Sequence, residues 1–450
     1  MYSKIYKYLL VFLLSGSYCK SIASPADSLF LTVDELFRLG VENSLKLQAD
    51  KVQESMAHEQ GKTARTSLLP DLQIGLNGGV IGQPVVFQHG LSDATYPDTP
   101  DWSQNYAINF TQPLYQGGKI RYAIHKADLK KEIASLQTVT DRADIKLNLL
   151  EQYMSLFSLF RQHDVLTRNI EESERRLKDI KQMKKEGLIT NNDVLRSEMQ
   201  LTNDRLSLTE TENSIALVSQ QLDILPGINE NCLLLPDTAL LYRSIALEKY
   251  DDYVAQACMN DPGILLLRKQ TEVAQNDVRL AKAEYLPNIS LYAANTLARP
   301  ISRTMADMYN NNWNIGLSVS YPLSSLYKNN HKTKESKLAV RLSQNIEEQK
   351  VQQIKVNVRT AYLRHHEALQ QVEALKLSVK QAEENYRIMQ NRYLNQLAIL
   401  TDLLDANSVR LNAELQLTSA RTRVIYTYSS NPQLSSSASF LRLNVLSSLN

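Results

Sequence analysis

Two carboxylates near the C-terminal third of the chain are the residues best placed to do chemistry. Asp402 and Asp405 stand three residues apart in Thr401-Asp402-Leu403-Leu404-Asp405-Ala406. On a helix of 3.6 residues per turn such a pair shares one face and projects as two successive layers. Repeated by symmetry around a narrow axis, those layers become carboxylate rings, which select cations and bind multivalent ones. The competing reading is local, since Asp favours the first turn of a helix, where the macrodipole is positive, by about 0.3–1 kcal/mol. An earlier stretch carries Asp193 at the position matching Asp402 but Arg196 at that of Asp405, so only the later one offers a purely acidic face. Asp193, following Asn191-Asn192, reads equally well as a helix N-cap.

No comparable constellation supports an enzyme. The seven histidines, His58, His89, His125, His163, His331, His365 and His366, contain no pair spaced for a zinc site and no His-Glu-x-x-His. His365 and His366, adjacent on a helix, would point about 100° apart, which suits surface or interhelix polar roles better than one metal. A phosphate-binding Gly-x-x-x-x-Gly-Lys-Ser/Thr is missing, so ATP energy is not drawn here. The expectation is a passive protein with no cofactor and no metal.

Composition narrows the class. The chain has 450 residues, a net charge of +2 and 14 glycines. So small a net charge disfavours nucleic acid as a partner. So little glycine disfavours a loop-rich sandwich or a Gly-turn nucleotide fold and favours long helices. After the first 25 residues no apolar stretch reaches the roughly 20 residues of a membrane-spanning helix, so membrane insertion would have to use strands. Residues 1–23 read as a secretory signal: Lys4 and Lys7, the apolar run Tyr8 to Leu14, then Ser21-Ile22-Ala23 as the cleavage site. Lipidation of Cys19 is the alternative, against which Tyr18 stands where a small residue is wanted. After export, Cys232 and Cys258 could pair or remain as two separate buried thiols.

The mature chain is an internal duplication. A shift of 217 places Asp34, Asn43, Gln53, Ala57, Ala64, Leu69 and Pro70 on Asp251, Asn260, Gln270, Ala274, Ala281, Leu286 and Pro287. Later the shift is 209, placing Pro113-Leu114 on Pro322-Leu323, Tyr153 on Tyr362 and Asp193 on Asp402. The interval from Pro70 to Pro113 is 43 residues and from Pro287 to Pro322 is 35, so one insertion in the first hairpin explains the change. The expected organisation is a first repeat over 24–225, an equatorial connector over 226–249, a second repeat over 250–430 and a disordered Ser-rich tail over 431–450.

Each repeat changes period in the same order. Residues 33–68 and 250–285 have helical spacing. Next come segments of period two: Leu72, Ile74 and Leu76; Tyr106, Ile108 and Phe110; Trp313, Ile315, Leu317, Val319 and Tyr321, each alternating with small or polar residues. Such strands fit a transmembrane barrel with one face to lipid, or a soluble hairpin with one face on a core. Residues 118–186 and 327–394 are Pro-free helices, each roughly 100 Å long at 1.5 Å per residue. Their seams, Leu149, Tyr153, Leu156, Phe160 and Ala382, Tyr386, Met389, Tyr393, step by 4, 3, 4 as coiled coils do. Turns near Gly187 and Gln396 lead into helices over 193–225 and 402–430. A barrel in lipid cannot leave an open edge and needs at least about eight strands. With four per chain it must be shared, and three chains give twelve.

Leu69-Pro70-Asp71-Leu72 and Leu286-Pro287-Asn288-Ile289, Gln112-Pro113-Leu114-Tyr115-Gln116-Gly117-Gly118, and Tyr393 followed by Thr401 to Ala406 together resemble the TolC family of outer-membrane efflux proteins, over nearly the whole mature chain. The resemblance implies a mainly α trimeric channel. Its small β part crosses the outer membrane as a shared barrel, and an α barrel crosses the periplasm. Its partners would be a periplasmic adaptor and an inner-membrane transporter, in drug efflux or type I secretion. It also implies a latch between the two helical hairpins, for which the matching positions are Tyr393 and Asp193. Ala398 stands where the family has an arginine, so this gate would be held less firmly or by other residues. The second Pro-Leu is followed by Ser324-Ser325 instead of the glycine pair, which leaves the tightness of that turn open. Two other classes fit parts of the pattern: a secreted coiled-coil scaffold or adhesin leaves the matched strands unexplained, and a periplasmic adaptor would carry one helical hairpin, not two.

Overall fold

The computed structural model describes residues 28–83, 85–97, 100–228, 233–236, 249–299 and 307–429. The signal segment with Cys19, Cys232, most of the connector and the Ser-rich tail lie outside these residues. In chain order the elements are β1 (Ser28–Leu31), α1 (Val33–Asn43), α2 (Leu45–Thr66), β2 (Asp71–Val80), β3 (Val86–His89), β4 (Ser92–Thr95), β5 (Trp102–Gln116), α3 (Lys119–Lys185) and α4 (Asn191–Ile224). They continue with β6 (Leu233–Pro236), α5 (Tyr250–Asn260), α6 (Pro262–Ala283), β7 (Asn288–Arg299), β8 (Asn310–Ser320), α7 (Ser325–Leu394) and α8 (Leu400–Ser429). Two compact units share them: one is built from residues up to 44, 145–247 and from 361 on, the other from 45–144 and 248–360.

The second unit holds the membrane-type strands. Their order is β2-β5-β7-β8, every neighbour antiparallel. The register aligns Leu72, Phe110, Ala293 and Ile315 in one row and Ile74, Ile108, Asn295 and Trp313 in the next. Apart from Asn295, one face is therefore apolar in these rows across the four strands, and it is bare: Ile74 is 70% and Trp313 71% exposed. Exposed apolar area of this extent marks a surface made for another apolar phase. The opposite face carries Gln73, Asn77, Asn105, Asn109, Asn312 and Asn314. β2 and β8 each pair on one side only among the described residues, so the sheet ends in two free edges. Pro113 lacks an N–H, and the β5–β7 register shifts there, between Pro113 and Tyr115. The eight-residue difference between the hairpins is accommodated with a separate ribbon, β3 against β4.

Two expectations need correction. The helices over 33–68 and 250–285 are each broken in two, at Ser44 and Asp261, positions related by the 217-residue shift. Pro262 pushes Asp261 out of the helical region to φ −65°, ψ 118°, and the Asp261 carboxylate then caps the next helix, accepting from the Ile264 amide at 3.0 Å. Ser44 takes the same extended conformation without a proline, φ −60°, ψ 116°, beside a hydrogen bond from the Asn43 amide to the Pro226 carbonyl. Cys258 consequently sits near the end of the short α5, half-buried. The helices after the turns begin two residues earlier than the periodicity suggests, at Asn191 and Leu400. In the second strand-to-helix passage the missing glycines are replaced by an earlier end to the strand and a turn in which the Pro322 carbonyl accepts from the Ser325 amide at 2.9 Å. The first passage keeps Gly117 and Gly118 at φ +62° and +86°.

The first unit packs α1, α4, α8 and the parts of α3 and α7 beyond residues 145 and 361 together with a small parallel sheet. β1 pairs with β6 of the connector, Ser28 with Leu233 through Leu31 with Pro236. The buried Tyr153 hydroxyl donates to the Leu31 carbonyl at 2.9 Å and ties that sheet to α3. Leu36, Leu149, Tyr153, Leu156, Phe157 and Leu222 form one core cluster. Ile180, Val194, Leu201, Tyr386, Tyr393, Leu400 and Leu403 form another near the two turns. Both coiled-coil seams thus face inward. His365 is fully buried, with Nδ1 3.0 Å from the Thr427 hydroxyl, while His366 is exposed.

Candidate channel gate at the helix turns

Two turns of the same construction end the long helices. In the first, Gly187 takes φ +77°, and the Leu188 amide reaches back to the Met183 carbonyl at 3.0 Å. In the second, Gln396 takes φ +59°, and the Leu397 amide reaches the Arg392 carbonyl at 2.8 Å. Both are Schellman ends, which satisfy carbonyls that the last helical turn leaves open. Leu188, Leu397 and Ile399 remain exposed at these turns.

After the turns the two repeats use their acids differently. Thr190 is the N-cap of α4, and Asp193, at its third position, accepts from the Thr190 amide at 3.0 Å and its hydroxyl at 2.7 Å. Asp193 is thus the carboxylate half of a capping box, not the cap itself. Asp402 holds the equivalent position of α8, but the residue before that helix is Ile399, which has no side-chain oxygen to cap with. Among the described residues neither Asp402 nor Asp405 makes a capping bond or an ion pair. Both are exposed while Leu403 and Ala406 are buried, so the helix presents a bare two-layer acidic face.

Tyr393 sits in the last turn of α7, 6% exposed, and its hydroxyl has no hydrogen-bond partner among the described residues. Burial, with the charge of Asp193 nearby, pushes its phenol above the ordinary tyrosine range. The two residues are neighbours, but beside the turns a direct bond between the hairpins comes from another pair: Arg196 Nη1 donates to the Thr401 hydroxyl at 2.7 Å. Sequence reasoning noticed Arg196 only as a mismatch to Asp405.

Further along, a closed ring of polar groups joins four helices, and no sequence signal announces it. Asp204 of α4 accepts from Asn169 at 2.9 Å and Ser173 at 3.1 Å, both on α3. Arg176 of α3 donates to Ser173 at 2.7 Å and to the Tyr386 hydroxyl of α7 at 2.9 Å. Arg410 of α8 stacks 4.3 Å from the Tyr386 ring and bonds Glu172 and Asn407. Asn407 closes the ring on Asn169 at 3.1 Å. Arg176 is only 7% exposed, so each broken member would strand buried polar atoms.

No group of His, Cys, Asp or Glu among the described residues could hold a metal ion. Likewise no helix there is long and apolar enough to cross a membrane.

A family model described as outer membrane efflux protein matches residues 38–227 and 254–428. The outer membrane protein TolC of Escherichia coli (strain K12) is 24% identical over 419 residues, 89% of this chain and 80% of that protein. The outer membrane protein VceC of Vibrio cholerae superposes with a TM-score of 0.74 at 18% identity, covering 89% of this chain and 95% of the other. The CmeC outer membrane channel of Campylobacter jejuni gives a TM-score of 0.71 at 16% identity over 89% and 85% of the two chains. With both repeats matched, the chain belongs to the outer membrane efflux protein family, whose members are outer-membrane channels extending into the periplasm and not enzymes.

Proposed function

We propose that three copies of this chain close a twelve-stranded barrel in the outer membrane and continue as a helical tunnel, forming a passive export conduit. The observation that carries this reading is the four-stranded sheet with two free edges and a bare apolar face. In hydrocarbon such edges must be paired, and a neighbouring copy supplies the pairing. Cargo enters from an inner-membrane transporter through a periplasmic adaptor, in drug efflux or type I secretion. The exposed Leu188, Leu397 and Ile399 at the helix turns offer apolar contact for the adaptor.

In this reading Asp402 and Asp405 form the acidic constriction. Their freedom from capping duty supports it, because Asp193 shows what an acid used for capping looks like. The resting gate is a latch around Tyr393 and Asp193, with Arg196 to Thr401 as its direct bond. Crosslinking in intact cells followed by purification tests the assembly. An adaptor and an inner-membrane transporter should co-purify, and recovery of this chain crosslinked to itself alone would count against the export role.

A further inference from the structure

Cations recur where strands give way to helices. Arg65 and Lys282, related by the 217-residue shift, each stand six residues before a strand, β2 and β7. Lys119 and Lys328, related by the 209-residue shift, lie at the starts of α3 and α7, just after β5 and β8. Arg121 adds a fifth cation, 5.5 Å from the ring of Tyr122. Of the nearby acids, Asp128 is engaged by Arg65 at 2.8 Å, Asp277 by Lys126 at 2.7 Å and Glu284 by Lys332 at 2.5 Å, while Asp71, which accepts from Gln73 at 3.0 Å, forms no ion pair among the described residues. Lys119, Arg121, Lys282 and Lys328 form no ion pair among the described residues, so their charge is uncompensated.

The same level carries exposed aromatic and apolar side chains. Tyr115 is aligned through Ile289 with Val319 on the apolar face of the sheet, and Tyr321 and Tyr327 are exposed beside it. Aromatic rings followed by cations at the end of an apolar band are what a membrane interface selects, the rings at headgroup depth and the long cationic side chains reaching phosphate. An ordinary solvated helix face carries paired charges of both signs, as Arg205 with Glu174 and Lys181 with Glu198 do on α3 and α4.

We propose that Lys119, Arg121, Lys282 and Lys328 form a cationic collar that binds the phosphate headgroups of anionic phospholipid in the periplasmic leaflet of the outer membrane. This rests on the reading of the four strands as crossing that membrane. The test counts lipids retained by the assembled protein in detergent, by native mass spectrometry, during titration with phosphatidylglycerol or phosphatidylcholine. Wild type should prefer phosphatidylglycerol, and the triple variant Lys119→Gln, Lys282→Gln, Lys328→Gln should lose that preference, at about fivefold per cation near an anionic surface. The matching Lys→Arg triple should keep it. Lys328→Gln alone should show a partial loss, so poor assembly of the triple would not hide the result. Equal binding of the two lipids by wild type, an undiminished preference in the Gln variants, or displacement of the lipid by inorganic phosphate at equal concentration would overturn the collar. Conductance in planar bilayers is recorded on the same samples: a non-conducting wild type would count against the channel reading, while the lipid counts judge the collar separately.

Discussion

Gly187 and Gln396 occupy the same left-handed position in the turns of the two repeats, at φ +77° and +59°. Glycine takes that conformation freely, whereas an L side chain does so at a cost of about 1–2 kcal/mol. The second turn, next to Tyr393 and the acidic face, is therefore the strained one.

Gln396→Gly should relieve the strain and stabilise the protein by up to about 1 kcal/mol, the gain being reduced by the extra freedom glycine has in the unfolded chain. Gly187→Ala should destabilise by a similar amount. Thermal unfolding of the two variants checks the pair, and a loss of stability in Gln396→Gly would refute the strain.

The acidic face can be separated from helix capping. Asp402→Ala combined with Asp405→Ala should lower cation selectivity and weaken block by trivalent cations, with assembly intact. Unchanged reversal potentials and unchanged block would leave these residues as helix-terminus charges only.

The latch predicts a contrast between two neighbours. Arg196→Ala removes the bond to Thr401 in every copy and should raise open probability severalfold, since one hydrogen bond is worth about 0.5–1.5 kcal/mol. Tyr393→Phe keeps the buried ring that packs the latch and deletes only a hydroxyl without a partner among the described residues, so it should be neutral or slightly stabilising for the closed state. Single-channel recording distinguishes them. A large opening effect of Tyr393→Phe, with none from Arg196→Ala, would reverse the assignment.

Burial holds His365 below its ordinary value of 6.5, and His366 beside it acts in the same direction. The unfolded chain then binds this proton more readily than the fold. Its contribution to stability is complete above about pH 6.5 and is lost as the pH falls through that value towards the lower folded pKa. His365→Gln, which can still bond Thr427, should flatten this part of the melting profile between about pH 5 and 8. A wild-type slope retained in the variant would place the titration elsewhere.

The strands and the long helices were legible because their periods are local: Trp313 to Tyr321 alternates without interruption, and the Tyr386, Met389, Tyr393 seam repeats on one face. The duplication was legible for the same reason, residue by residue. The break at Asp261 was written in the following proline, yet the break at Ser44 carries no such mark, and the residue before it, Asn43, bonds Pro226 far along the chain. The β1–β6 pairing and the ring from Asp204 to Arg410 join residues up to 238 apart in sequence, which no window of neighbouring residues contains. Arg196 was visible as a cation, but its partner Thr401 belongs to the other repeat.

Closure of the free strand edges by two further copies fixes the mass of the assembly. The native mass of the protein extracted from the outer membrane in mild detergent tests it most directly. A particle of three mature chains is expected. A stable single chain that still conducts ions across a bilayer would contradict it.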